Sequence, residues 1–193
     1  MSEDPKRPAP IYTRRGDGGT TGMLFGGRLP KDHPQVELNG AVDETQAHLG
    51  VVRAQATGEL AEMCLALEHD LWVLMAEVAT LPEHRTKLRP GASLVTHEMI
   101  ERLERLIDDV SLRFEPLRDF VLPGGTPTAA ALDVARTVCR RAERLAVRFV
   151  ASAPSSLVGV YLNRLSDALW TLARWQEGDH LRAKDVPPGD AHA

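Results

Sequence analysis

The stretch "ELAEMCLALEHDLWVLMAEVATLP", residues 59 to 82, decides the fold. Leu60, Met63, Leu67, Leu71, Leu74 and Val78 recur at steps of three and four, which lays them along one face of an α-helix, and Pro82 ends the run because its ring cannot continue a helix. The same period returns on the C-terminal side. "THEMIERLERLIDDVSLRFE" carries Ile100, Leu103, Ile107 and Val110 and stops before Pro116. Thr126 and Pro127 form an N-cap and first-turn pair that opens a helix running to about Ala151. "SSLVGVYLNRLSDALWTLARWQ" buries Val158, Leu162, Leu165, Leu169 and Leu172. On the N-terminal side, "VDETQAHLGVVRAQA" reads as a short first helix from about Val42, closed near Thr57-Gly58. No segment alternates with period two, so the pattern predicts an all-α domain, a five-helix bundle with ferritin-like up-and-down packing.

Residues 1–38 hold five prolines and show neither the helical nor the strand period, so they are expected to form a long irregular arm. The bundle is expected over 39–178. The tail 179–193, with Pro187, Pro188 and Gly189, reads as disordered. A length of 193 residues with 43% hydrophobic composition suits one domain with a full core. The net charge of -4 is no footprint for nucleic acid, so any anion site must be local. Cys64 and Cys139 lack metal or disulfide spacing and read as core thiols. No stretch approaches a membrane span and the N-terminus has no targeting pattern, which predicts a cytoplasmic protein with no membrane partner.

Two constellations could carry chemistry. In "ARTVCRRAER" Arg136, Arg140 and Glu143 share one arc of the fourth helix, opposite Leu132, Val138, Cys139, Ala142, Leu145, Ala146 and Phe149, while Arg141, Arg144 and Arg148 flank them. Such a face is either solvated and paired at i,i+4, or an anion grip built from guanidinium forks. "IYTRRGDGGTTG", residues 11–22, is glycine-rich, yet Thr21 breaks the dinucleotide fingerprint and "GGRLPK" lacks the spacing of a phosphate loop. A di-iron site would need Glu-x-x-His on two helices, and the one instance is Glu177 to His180 at the end of the last helix. No metal ligand is assigned.

In order, "IYTRRGDGGTTG...GGRLPKD", "VDE", "FVLPGGT", "ARTVCRRAER" and "YLNRLSD" resemble the corrinoid adenosyltransferases of the propanediol-utilisation type. The resemblance implies transfer of the adenosyl group of ATP to cob(I)alamin, with Mg²⁺, in a homotrimer whose sites lie between subunits. It implies that Thr13, Arg14, Arg15, Gly16, Asp17, Gly19, Thr21, Gly22 and Lys31 wrap the triphosphate, mainly through backbone N–H groups. Arg136 would pair with Asp43, Arg140 would bind phosphate with Arg141, Ala142 and Arg144 around it, and Glu143 would steady the nucleotide and Mg²⁺. Asn163 would contact adenosine, and Phe120 would cover the lower face of the corrin. Arg136, Arg140, Asp43 and Glu143 are thus the expected catalytic set. Gly18 stands where the family often has lysine. A cobalamin escort that passes the cofactor to a mutase with little turnover is the alternative, and transient contact with a mutase and a reductase is expected either way.

Overall fold

A computed structural model describes residues 11–117 and 119–186. The expected arm over 1–10 and tail over 187–193 lie outside the described residues. A short hairpin comes first, β1 (Thr20–Gly22) and β2 (Arg28–Pro30), antiparallel with Thr21 opposite Leu29. Five helices follow: α1 (Pro34–Gln55), α2 (Gly58–Val78), α3 (His97–Ser111), α4 (Pro127–Ser152) and α5 (Val158–Glu177). Short 3-10 turns occupy Pro82–Lys87 and Ala183–Asp185.

The helices run up and down, as the sequence predicts. Gln35 at the start of α1 donates to the carbonyl of Val78 at the end of α2. Arg113 bonds Glu59 and Arg102 bonds Asp70, so α3 runs antiparallel to α2. Arg174 near the end of α5 meets Asp133 near the start of α4. One end of the bundle therefore gathers the hairpin, the start of α1, the end of α2 and the end of α4. The other gathers the 112–126 connection, the start of α4 and the end of α5.

The inward stripes are those the periodicity marks. Leu67, Leu71, Leu74 and Val78 of α2 and Val158, Leu162, Leu165, Leu169 and Leu172 of α5 are buried in one continuous core. Thr126 caps α4 by accepting from the N–H of Ala129 at 3.1 Å, with Pro127 in the first turn. Both thiols are buried and free. Burial pushes the Cys64 thiol up to about 11 and raises Cys139 further in the same direction.

Three boundaries differ from the sequence reading. The first helix begins at Pro34, not near Val42, and is 22 residues long. His33 caps it, accepting at Nδ1 from the N–H of Gln35 at 3.2 Å, and Pro34 fits the position where no N–H is needed. Ala41, Thr45 and Gly50 dilute its apolar stripe, which hides the first two turns from a periodicity test. The arm over 11–33 is not irregular throughout, because β1 and β2 pair; strands of three residues are too short to register an alternation. Residues 179–186 pack back on the connection before α4: Leu122 donates to the carbonyl of Leu181 and Ala183 donates to that of Phe120, each at 2.9 Å.

Candidate functional site

The glycine-rich loop is folded by its own backbone and by one arginine. Arg14 has φ 56° and Gly19 has φ 77°, a left-handed conformation that glycine adopts without penalty. Arg28 reaches back from β2, donating to the carbonyls of Arg15 (2.7 Å) and Thr20 (3.0 Å) and to Thr20 Oγ1 (3.0 Å). Sequence reasoning passed over Arg28, which lies inside a quoted motif without a matching partner. Lys31 is brought over the loop: its N–H bonds the Gly19 carbonyl at 2.9 Å, and a Cβ placed on Gly16 would stand 3.3 Å from its Nζ. Lys31 thus lies against Gly16 in the loop that carries Thr13, Arg14 and Arg15, with Thr21 and Gly22 following on β1.

Two of the expected phosphate donors bond within the loop itself. The Asp17 N–H is turned to the Arg14 carbonyl (3.4 Å) and the Gly19 N–H to the Gly16 carbonyl (3.2 Å), so both close turns instead of facing outward. Gly18 has ordinary backbone geometry and nothing within 4 Å of an added Cβ.

On the helical side, Arg140 is exposed and no carboxylate among the described residues holds its guanidinium. One turn on, Glu143 Oε1 accepts from Asn163 Nδ2 at 2.9 Å across the α4–α5 seam. Arg164 donates to Asn163 Oδ1 (2.8 Å) and to Glu104 (2.9 Å), which fixes the amide's orientation. Arg140, Glu143 and Asn163 therefore form one polar surface with a free guanidinium fork beside an anchored carboxylate and amide.

Its flanks behave differently from the expected contact set. Ala142 is fully buried in the core, with its backbone inside α4. Arg141 turns to α1 and pairs with Glu44. Arg144 is exposed and donates to the Arg140 carbonyl at 3.0 Å. Within the chain Arg136 does not meet Asp43: its Nε bonds Asp133 at 2.9 Å, one turn back on its own helix, and Asp43 is exposed on α1.

At the far end of α4 a cleft of about 480 Å³ is walled by Phe120, Val121, Asp133, Arg136, Trp170 and Arg174. Phe120 is 90% exposed at its mouth. Beneath it lies a buried ionic chain that the sequence reading did not find, Arg174 with Asp133 on one side and Glu177 on the other. A charged residue on the apolar face of α5, as at Arg174, was the available signal.

The loop with Lys31 is seated at the opposite end. His33 and Gln35 lie beside Phe149, and Leu24 donates to the carbonyl of Ala79 at 2.8 Å. Thirteen residues separate Phe149 from Arg136, about 20 Å along a helix. One chain keeps its glycine loop and its Phe120 cleft at opposite ends of the same helix.

Among the described residues no group of three or more His, Cys, Asp or Glu side chains could hold a metal, and no helix is long and apolar enough to cross a membrane.

The comparisons with known proteins agree on one family. The family model for cobalamin adenosyltransferase matches residues 11–176. The corrinoid adenosyltransferase PduO of Salmonella typhimurium is 40% identical over 178 residues, covering 91% of this chain and 52% of that protein. A corrinoid adenosyltransferase of Citrobacter freundii is 40% identical over 169 residues, covering 86% of this chain and 94% of that protein. The chain thus spans about half the length of the Salmonella relative and nearly all of the Citrobacter one. Among solved structures, a phenylalanine-to-alanine variant of the PduO-type ATP:corrinoid adenosyltransferase of Lactobacillus reuteri, complexed with cobalamin and ATP, superposes with a TM-score of 0.80 at 27% identity, covering 91% of this chain and 99% of that one. An arginine-to-lysine variant of that enzyme, complexed with ATP, gives 0.75 at 29% identity, covering 86% and 94%. With a family model matched over nearly all of the described residues and this helical order beneath it, the chain belongs to the cobalamin adenosyltransferase family.

Proposed function

We propose that this chain transfers the 5′-deoxyadenosyl group of ATP to the cobalt of cob(I)alamin, giving adenosylcobalamin and triphosphate. The observation that carries the reading is the surface of Arg140, Glu143 and Asn163: a guanidinium with no carboxylate partner among the described residues, one turn from a carboxylate and amide that brace each other. The cobalt itself attacks the ribose 5′ carbon, so the protein needs no nucleophile. Its task is to align ATP and to neutralise the charge that grows on the leaving triphosphate. Arg140 supplies that charge, while Lys31, Arg14, Arg15 and the free edge of the glycine loop hold the phosphates. Magnesium takes most of its ligands from phosphate oxygens and water, with one or two carboxylates, and Glu143 would supply one of these here.

We infer a site shared between copies of the chain. The loop with Lys31 and the Phe120 cleft lie about 20 Å apart along α4, which supports a reading in which a loop from a neighbouring copy faces the Arg140 surface. A homotrimer with sites at its interfaces, acting in the cytoplasm and handing product to a cobalamin-dependent mutase, is the arrangement we infer. Across such an interface Asp43 is free to meet Arg136, since it is exposed. The escort reading differs by having no turnover.

The test is anaerobic incubation with ATP, Mg²⁺ and chemically reduced cobalamin, followed spectroscopically for the cobalt–carbon product. Corrinoid bound without product would leave only the escort.

Two substitutions probe the parts. Phe120→Ala removes the exposed ring at the cleft mouth. We expect it to slow transfer that starts from cob(II)alamin plus reductant, because the ring excludes the lower axial ligand, and to spare transfer from preformed cob(I)alamin. Equal loss from both starting states would remove the ring from that role. Gly18→Lys fits without steric change and is expected to lower KM for ATP about two- to fivefold through an added charge beside the phosphates. A raised KM would show that position 18 faces away from the nucleotide.

A further inference from the structure

The five helices form an open ring. α2 packs on α1, α1 on α4, α4 on α5 and α5 on α3, so α2 and α3 are its two ends and face each other with little direct packing. Between them runs a groove of about 460 Å³, with Met63, Ala66 and Leu67 of α2 and Leu103, Leu106 and Val110 of α3 along it. Two ion pairs bridge the groove. Arg113 reaches both oxygens of Glu59, at 2.6 and 3.0 Å, and Arg102 reaches both oxygens of Asp70, at 2.8 and 3.1 Å. Glu59 and Asp70 stand three turns apart on α2, which makes the slot between the bridges about 16 Å long.

The chemistry of the slot narrows its occupant. The carboxylate in its floor is already satisfied, because Asp70 Oδ2 also accepts from the Tyr161 hydroxyl at 3.1 Å, so a guest need bring no cation there. What lies open between the bridges is apolar: Met63 and Leu106 are half-buried and Ala66 is exposed. The lips carry opposite charge. Glu62 is exposed on the α2 lip, and Arg105 is exposed on the α3 lip, held only loosely by Glu101 at 3.7 Å. Asp109, also on the α3 lip, lies one turn from Arg113, which offsets it. Both walls are helices with their backbone groups bonded internally, so neither offers an edge to which an extended peptide could add as a strand.

We propose that this groove docks an amphipathic α-helix of a partner protein, whose apolar side chains at i, i+4 and i+7 enter the slot, with basic residues toward Glu62 and acidic residues toward Arg105. Anchors at that spacing span about 10 Å and fit between the two bridges. The guest lies against α2 and α3 as a sixth member of the ring, ridges into grooves, as α4 lies against α1 and α5. Arg140 and Glu143 belong to α4, at the middle of the ring and away from its open ends. Docking therefore leaves their surface uncovered, and the proposal does not depend on which reaction that surface performs.

The test is fluorescence anisotropy of the full chain with two labelled, designed helical peptides about four turns long. Both carry leucine at i, i+4 and i+7; one has lysine on one flank and glutamate on the other, and the second has glutamate on both flanks. Wild-type protein is expected to bind the mixed peptide more tightly than the acidic one. Ala66→Glu places a charge in the floor and should weaken the mixed peptide at least tenfold, roughly. Glu62→Lys makes both lips basic, so it should weaken the mixed peptide about threefold and tighten the acidic one by a similar factor. No binding of the mixed peptide would overturn the proposal, as would a Kd that Ala66→Glu leaves unchanged. Glu62→Lys protein that ranks the two peptides as wild type does would reduce the groove to a sticky apolar surface and overturn it too. Sedimentation that shows a changed assembly in Ala66→Glu would put a second copy of this chain in the groove instead of a partner helix. Should Ala66→Glu fail to fold, Met63→Gln, which nearly keeps the side chain's shape, is expected to weaken the mixed peptide about fivefold, and an unchanged Kd there also overturns the proposal.

Discussion

Arg140→Ala is expected to lower the rate of adenosyl transfer about 10² to 10³-fold, a loss of roughly 2 to 4 kcal/mol of transition-state stabilisation. The side chain is exposed and pairs with no carboxylate among the described residues, so its removal leaves no orphaned partner among them. The melting temperature should hardly move. That combination separates a charge kept for the reaction from a charge kept for the fold. The fall should appear in kcat more than in KM for ATP, because negative charge concentrates on the departing phosphates only as the carbon–oxygen bond breaks. Arg140→Lys should recover part of the rate, since a point charge replaces a fork. A wild-type kcat in the alanine variant would take Arg140 out of the mechanism.

Glu77→Ala should have the larger effect on the fold. Glu77 is fully buried, and three groups converge on its carboxylate: Arg85 at 2.7 Å, the Ser156 hydroxyl at 2.6 Å and the N–H of Val95 at 2.8 Å. It therefore ties α2 to the turn after it, to the entry of α3 and to the α4–α5 connection. Truncation strands a half-buried arginine, a buried hydroxyl and a backbone N–H at once, which should cost about 3 to 5 kcal/mol. For a chain of this size each kcal/mol shifts the melting temperature by roughly 2 to 4 °C, so a fall on the order of 10 °C is expected in calorimetry. Variant and wild type must be compared at one protein concentration, because assembly contributes to apparent stability. A shift under about 2 °C would mean that water takes the place of the carboxylate.

These two residues also mark what the sequence reveals and what it conceals. Arg140 is legible because it recurs in a motif of fixed spacing and faces away from an apolar stripe that is itself legible. Glu77 lies on that stripe, three residues after Leu74 and one before Val78, and periodicity alone treats a carboxylate there as noise. Its partners come from three other segments, at separations that no local pattern records. Asp133, Arg174 and Glu177 escaped for the same reason. The helices α2 to α5 were readable because each buries a strong stripe. The first turns of α1 were not, since small and polar residues weaken its stripe, and the hairpin was too brief to show its alternation. The expected Asp43 to Arg136 pair shows a further limit: the sequence names both residues, but the chain gives Arg136 a nearer carboxylate three positions away.

The separation of the glycine loop from the Phe120 cleft along α4 also has a consequence for inheritance of damage. If each site takes its loop from one copy and its helix face from another, a subunit with a broken loop still offers a sound face, and one with a broken face still offers a sound loop. Mixing Lys31→Ala with Arg140→Ala subunits would then rebuild some undamaged sites, and the hybrid would outperform either parent. Damage in this protein would be counted by interfaces, so two defective alleles at different ends of the helix could complement each other while two at the same end could not.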